Sequence, residues 1–500
     1  MSAVTPSVGR RRWAVLAALA ASTLVLGFQL TDVVSVVVFA ALTLPAGLLG
    51  DRFGRRRMLL TGLGVLLAGS LLGALAGDER AVVVARVAMG VGGALLVPLS
   101  LSVLPTLFGP SERLRAVGIV SAASALGMPL GPVLGGRLSD HFWWGSVLLV
   151  NVPLLALGIA ACLFLLPDPE DAAPVGVDAL STALTAAGLG SLVYAVIQAP
   201  VRGWGDPLVL GLLGGSLVVL TALVRRERRA ARPTLDLALL GDRGFLLNAG
   251  TATLVTFVLA GLLFLLPPYL QAVLGHDAFG TGLRLLPVMG GLLIAARAAQ
   301  PLVDRLGSQS VVSAGLVVLA FAAFLGSRTA ADSDYGYTAL WLSLAGIGFG
   351  FSMVPTMDGA LAVLPADRSG GGSGLLMALR QVGGAIGIAL LGSLLAGVYR
   401  AGLDVTGLPS AAADTAGESV VAAHLIATET GAPALAASAD AAHVQGMAVV
   451  LLVCGVAALA AALLAAALLP GVAAADAAAT GGGKVGKVRH VRQIAGRSEG

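Results

Sequence analysis

The sequence predicts an all-α polytopic membrane protein, and three observations predict it. The chain of 500 residues is 57% hydrophobic and only 12% charged, far from the half-apolar, quarter-charged balance of soluble globular proteins. Its mean hydropathy is +0.93. Continuous apolar stretches of about 20 residues, the length that crosses a hydrocarbon core, begin at Met58, Trp144, Phe245, Tyr337 and His443. One signal peptide cannot account for such repetition. A transmembrane barrel would show alternating segments of about 10 residues, whereas these runs are unbroken and rich in Leu, Ala, Val and Gly.

Splitting the runs at charged or Gly/Pro-rich breaks predicts fourteen spans, near 13–28, 31–49, 58–76, 81–107, 117–136, 144–166, 179–199, 208–224, 245–266, 281–302, 311–326, 337–363, 374–399 and 443–469. A cytoplasmic amino terminus then puts 22 of the 31 basic residues on the inside. They include Arg10 to Arg12, the arginines around Arg55, Arg113 and Arg115, the cluster from Arg225 to Arg243, and the tail after Lys484. The opposite loops hold Arg80, Arg137, Arg202, Arg328 and Arg400. Positive charge inside therefore predicts both termini cytoplasmic. The outer loop near 400–442 is acidic and alanine-rich, with room for a short helix, and the glycine-rich basic tail reads as solvated and disordered. Cys162 and Cys454 fall inside apolar runs, so their number excludes a disulfide framework or a four-ligand zinc site.

Between the second and third spans the chain reads G-L-L-G-D-R-F-G-R-R-R-M-L from Gly47 to Leu59. Gly47 and Gly54 permit a tight turn and close helix approach, and Asp51 can face a neighbouring helix amino terminus. Arg52, Arg55 and Arg56 pin the loop to the cytoplasmic side. Basic character explains the arginines but not the ordered G-x-L-x-D-R-x-G-R-R pattern. Asp304-Arg305-Leu306-Gly307 repeats Asp51-Arg52-Phe53-Gly54 after the second span of a later set of six. An internal repeat follows.

The fifth span carries G-M-P-L-G-P-V-L-G-G from Gly127 to Gly136. Gly127, Gly131 and Gly135 form a flat stripe for close helix packing beside Gly136, while Pro129 and Pro132 remove backbone donors. Three further stretches stand out: N-V-P at Asn151, Y-L-Q-A-V-L-G at Tyr269, and R-Q-V-G-G-A-I-G with Arg380, Gln381, Gly383, Gly384 and Gly387. Arg380 opens the predicted thirteenth span and reads as an interfacial anchor.

Taken together, these motifs resemble the fourteen-helix drug:proton antiporter branch of the major facilitator superfamily over nearly the whole chain. The resemblance implies a major facilitator fold of two six-helix halves plus two inserted helices. Residues 1–166 would form the first half, 167–243 the inserted pair with a cytoplasmic linker, 244–470 the second half, and 471–500 the tail. It also implies proton-coupled export of small amphipathic or cationic compounds across the cytoplasmic membrane of a bacterium. The glycine and proline order of the fifth span is similar to the signature of exporters in that superfamily. The expected partners are a small-molecule substrate, protons and membrane lipid, with no nucleic acid and a monomeric chain. No cofactor is expected, the proton gradient supplying the energy.

Ionisable groups inside spans are costly and mark function. Arg86, in A-R-V-A-M-G-V-G-G, and Asp358, in P-T-M-D-G, lie in the fourth span of each half. In the family fold those helices line the central pathway. A lone carboxylate at low dielectric has a raised pKa, which suits Asp358 to proton exchange. Its ionised form would also attract a cationic compound.

The first hairpin departs from the family pattern. Only 35 residues run from Trp13 to Gly47. Either the first helix stops near Phe28 and turns at Gln29-Leu30, or one long helix replaces the pair. Asp32 is either a remnant of the acidic position of the first helix or the outer end of the second. A transport-impaired paralogue and a dedicated metabolite or antibiotic exporter are the alternatives to multidrug efflux. ATP-driven transport is disfavoured because no G-x-x-x-x-G-K-[ST] occurs. An intramembrane enzyme is disfavoured because no span carries a His, Asp or Glu cluster.

Overall fold

In hydrocarbon every backbone N–H and C=O must be satisfied within its own segment, so the apolar runs become helices. The structure, a computed structural model, describes residues 6–27, 33–166, 178–230, 237–364 and 369–469. The first half contains α1 (Pro6–Gly27), α2 (Val33–Phe53), α3 (Arg55–Ala74), α4 (Glu79–Leu107), α5 (Pro110–His141), and the broken pair α6 (Ser146–Leu149) and α7 (Asn151–Leu165). Then come α8 (Ala179–Arg202) and α9 (Pro207–Arg229). The second half contains α10 (Arg243–Pro268), α11 (Ala278–Leu306), α12 (Ser308–Gly326), α13 (Tyr335–Ala362) and α14 (Ser369–Gly402). Two short helices, α15 (Ser410–Ala416) and α16 (Val420–Thr430), lead to α17 (Pro433–Leu468).

Among the described residues twelve helices are long and apolar enough to cross a membrane: α2 to α4, the α6–α7 pair, α8 to α14, and α17. Helices α1 and α5 stand at the predicted first and fifth spans and pack along each other. Each half repeats one packing pattern. In the first, α4 packs on α3 and α2, α1 packs on α5 and α7, and α3 packs on α7. In the second, α13 packs on α12 and α11, α10 packs on α14 and α17, and α12 packs on α17. The halves meet reciprocally, α2 on α14 and α5 on α11, and α8 lies against both α2 and α14. Small residues let these backbones approach, as membrane helix packing requires. A Cβ on Gly62 would lie 2.7 Å from the Leu95 Cβ, and one on Gly348 would lie 2.5 Å from the Leu319 backbone nitrogen.

Several boundaries differ from the predicted ones. α1 and α2 have different neighbours, α1 on α5 and α7 and α2 on α4, α8 and α14, while the stretch that joins them, where the Gln29-Leu30 turn or a fused helix is expected, lies outside the described residues. α14 starts at Ser369 rather than near 374, which carries Arg380 away from the helix start. α17 starts at Pro433 rather than near 443, because Leu435, Ala439 and Ala442 pack with Tyr399, Val420 and Ala423 in a small separate core. The stretch near 400–442 thus holds two short helices and the start of α17 where one short helix is expected. Beyond Pro267 and Pro268, Tyr269–Val273 forms a π-turn, and Tyr269 donates to the Ala330 carbonyl at 3.0 Å. Asp32 and the basic tail lie outside the described residues.

Candidate functional site

The α2–α3 junction is a one-residue break. Gly54 takes φ 92° and ψ 129°, a conformation that side chains rarely adopt. Its turn brings the Asp51 carboxylate onto the amino terminus of α14, where it accepts from the backbone N–H of Gly370 at 2.9 Å and of Gly371 at 2.7 Å. An anion at a helix amino terminus satisfies orphan donors and meets the favourable end of the macrodipole. Gly47, one turn earlier, makes the approach possible, since a Cβ there would collide with the Gly370 carbonyl. Arg55 reaches back to Asp51 at 3.3 Å and donates to the Ser102 carbonyl at 3.2 Å. Arg56 donates to the carbonyls of Cys162 and Leu163, and Arg52 lies over the Phe53 ring at 5.0 Å. This junction therefore ties the first half to α14 of the second.

A second tie joins α5 to α13. Arg113 grips Asp358 with a two-pronged fork, Nε to Oδ1 at 2.6 Å and Nη2 to Oδ2 at 3.2 Å, across 245 positions of sequence. The side chains are 16% and 19% exposed, so this pair is only partly screened by solvent. Asp358 is thus not the lone carboxylate that the sequence suggested. In the sequence Arg113 is marked only as one of the basic residues expected on the cytoplasmic side. Its neighbours bind α5 to α1: Glu112 pairs with Arg12 at 2.8 Å, and Arg115 lies over the Trp13 ring at 4.9 Å.

Arg86 sits half-buried in α4, and its backbone carbonyl accepts from the Ser35 hydroxyl at 3.1 Å. Gly90, one turn on, lets α2 approach, since a Cβ there would lie 2.9 Å from the Val38 Cβ. In α5, Gly127 is buried, a Cβ on Gly135 would lie 3.6 Å from Val147, and one on Gly136 would lie 3.3 Å from Ala278 of α11. The Pro132 side chain lies outside the described ones. In α14, a Cβ on Gly383 would lie 2.9 Å from the Thr253 carbonyl, one on Gly384 3.4 Å from Thr256, and one on Gly387 2.6 Å from the Phe257 carbonyl. These glycines make a flat face against α10, beside a half-buried Gln381. Arg380 is not an interfacial anchor. It lies within the helix, where Nε donates to the Thr256 hydroxyl at 3.2 Å and Nη1 contacts the sulfurs of Met357 and Met377 at 3.4 Å each. Met377 stands one turn earlier on α14, but the sequence gives no sign of Thr256 and Met357, which come from α10 and α13.

Two halves of matching packing are thus joined by residues of the sequence motifs. A family model described as Major Facilitator Superfamily matches residues 11–388. The chain belongs to the major facilitator superfamily. It is 35% identical over 363 residues to the tetracenomycin C resistance and export protein of Streptomyces glaucescens, an alignment covering 72% of this chain and 67% of that one. To the multidrug resistance protein Stp of Mycobacterium tuberculosis it is 34% identical over 361 residues, covering 71% and 66%. To the puromycin resistance protein pur8 of Streptomyces alboniger it is 34% identical over 373 residues, covering 72% and 73%. The chain thus spans about two thirds of the length of these curated relatives. Among solved structures it resembles a bacterial homologue of the human lysosomal transporter Spinster, with TM-score 0.57 and 18% identity over 93% of this chain and 98% of that one. It also resembles a proton:xylose symporter of the superfamily, with TM-score 0.56 and 14% identity over 93% and 97%. These two likenesses show the fold alone. The superfamily member described here is a multi-pass bacterial membrane transporter.

Proposed function

We propose that this major facilitator protein exports small amphipathic compounds from the bacterial cytoplasm in exchange for protons. The observation that supports export is the similarity, over most of the chain, to proteins named for resistance and export. Its fourteen helices all cross the membrane in this reading, with α1 and α5 counted among them, and both termini face the cytoplasm. The chain acts as a monomer in the lipid bilayer, with the proton gradient as its energy source.

The Arg113–Asp358 fork supports a coupling scheme. It holds α5 to α13 across the two halves, on the side where charge asymmetry puts the cytoplasm. Protonation of Asp358 removes the charge that Arg113 grips, freeing the halves to rock apart around a midplane site. Rejoining the fork requires release of that proton. Asp51 on the α14 amino terminus is a second cytoplasmic tie that must open in the same movement. Arg86 and Asp32 are the further candidates for proton or substrate coupling, on the resemblance of their motifs. The different packing partners of α1 and α2 favour a working transporter over a transport-impaired paralogue. A dedicated antibiotic exporter is the second reading, favoured by relatives named for tetracenomycin C and actinorhodin.

Everted vesicles test the scheme. Wild-type vesicles are expected to release protons on substrate addition, and Asp358→Asn vesicles are not. Unchanged proton release in the variant would remove Asp358 from the coupling pathway.

A further inference from the structure

Arg380 is the twelfth residue of α14, which begins at Ser369. It therefore stands about 17 Å along the helix axis. Thr256, its partner, is the fourteenth residue of α10, which begins at Arg243 and brings that hydroxyl to a similar depth. Both lie within a hydrocarbon layer of about 30 Å.

Cations at that depth are normally matched by a carboxylate, carbonyls or water. The partners of Arg380 are neutral. Nε donates to the Thr256 hydroxyl, whose own proton is committed to the Ala252 carbonyl at 2.8 Å. Nη1 meets two thioether sulfurs, which are weak acceptors. Nη2 has no hydrogen-bond partner among the described residues, and no carboxylate among them pairs with this guanidinium. The residue nevertheless remains partly accessible at this depth. Two of its donors therefore point to a place that a ligand atom can reach.

The surroundings of the guanidinium are apolar. Met357 and Met377 belong to a buried cluster with Met353 and Phe349. Thioether side chains adapt to irregular shapes and pack well on aromatic rings. Beside Arg380, a Cβ on Gly384 would meet Thr256 and Ala260 at 3.4 and 3.9 Å, ordinary van der Waals contact, so α10 closes that side of the guanidinium.

We infer that Arg380 docks the acidic group of the cargo, so that this transporter takes amphipathic organic anions, carboxylates or phenolates carried on an aromatic skeleton. The acid lies against Nη2, and the ring system lies on the accessible side of the guanidinium, outside the packed cluster of Met353, Met357 and Met377. This inference deepens the export reading and rests on it for the direction of movement. It replaces the expectation of a cationic cargo, because the guanidinium offers charge of the opposite sign and a planar donor edge suited to a carboxylate.

A matched pair of probes tests it. The full chain in lipid nanodiscs is titrated with dansylglycine and with its uncharged methyl ester, which share one fluorophore. Wild type is expected to bind the acid at least about tenfold more tightly than the ester. Arg380→Gln should weaken the acid alone and bring the ratio near one. Arg380→Lys, which keeps the charge but not the planar edge, should lose several-fold of the acid's affinity and leave the ester unchanged. A wild type that binds the acid no tighter than the ester overturns the inference, as does a ratio that survives Arg380→Gln. Should the glutamine variant not fold, an unchanged ratio in Arg380→Lys overturns it as well. Binding needs no gradient, so the two readings separate. Wild-type everted vesicles that show no energy-dependent movement of any compound would remove the export reading and leave the acid-to-ester ratio standing.

Discussion

The α2–α3 and α11–α12 junctions occupy the same place in the two halves and share the order Asp-Arg-x-Gly, yet they carry different loads. Both turn at a glycine of positive φ, Gly54 at 92° and Gly307 at 80°. The resemblance stops at the aspartate. Asp51 is buried to 3% side-chain exposure and engages two backbone donors of the opposite half. Asp304 is exposed and accepts from Gln300 on its own helix at 2.8 Å. The position one turn before each aspartate accounts for the contrast. It is Gly47 in the first half, where α14 comes into backbone contact, and Gln300 in the second, whose long side chain satisfies the aspartate locally. The same four-residue phrase thus makes a turn wherever it stands. It becomes a tie between halves only where the preceding turn is bare of side chain.

The largest expected effect comes from filling that bare position. Gly47→Ala puts a Cβ into the Gly370 carbonyl, which is backbone and cannot rotate away, and should destabilise the protein by about 3 kcal/mol, at the upper end for overpacking. Gln300→Ala should be nearly silent. Thermal midpoints of the purified proteins in one detergent compare the two, and equal shifts would break the contrast.

Removing the aspartates should give the next largest difference. Asp51→Ala leaves the Gly370 and Gly371 donors without their acceptor and should cost about 2 kcal/mol. Asp304→Ala should cost less than about 0.5 kcal/mol, as expected for an exposed site. The Arg113–Asp358 fork offers an independent measure of what a tie between halves is worth. Asp358→Asn and Arg113→Gln should each cost about 1 kcal/mol, after discounting for partial exposure, and the double variant should fall well short of the sum. Strict additivity would show that the fork is not a coupled pair.

At the glycines the two junctions should behave alike. Gly54→Ala and Gly307→Ala each force a side chain into the left-hand region and should cost about 1 kcal/mol apiece. A large inequality would mean that one turn carries strain the other lacks. The smallest effect belongs to the α8–α9 pair. Arg226 hydrogen-bonds Asp178 and holds that exposed carboxyl below the usual carboxylate range, helped by the Ser181 hydroxyl. A depressed native pKa stabilises above the usual carboxylate value, and this contribution is lost as pH falls through the lowered one. Thermal midpoints of wild type and Asp178→Asn should therefore differ slightly at neutral pH and converge under acid.

Much of the fold was legible in the sequence because hydrocarbon imposes a single rule, that each crossing needs about 20 apolar residues in one helix. The predicted spans match the observed helices closely where the helix ends at the membrane surface, as in 311–326 against Ser308–Gly326. They fail where packing rather than hydrocarbon sets the end. α17 extends back to Pro433 because α16 covers it, and α14 extends back to Ser369 because Asp51 caps it. The turn chemistry of Gly54 and Gly307 was legible too, since it depends on a few adjacent residues.

What the sequence by itself determined is the set of helices, their repeat, and the local turns, because those follow from backbone satisfaction and from neighbours within a few positions. Only the tertiary structure decided which charges meet. Arg113 finds Asp358 across 245 positions. Arg380, an apparent helix start, ends among Thr256, Met357 and Met377 with donors to spare. A charge buried in a low-dielectric interior takes its meaning from the atoms within a few ångströms. Which atoms those are is settled by how the helices pack, and periodicity along one helix does not record the face of another.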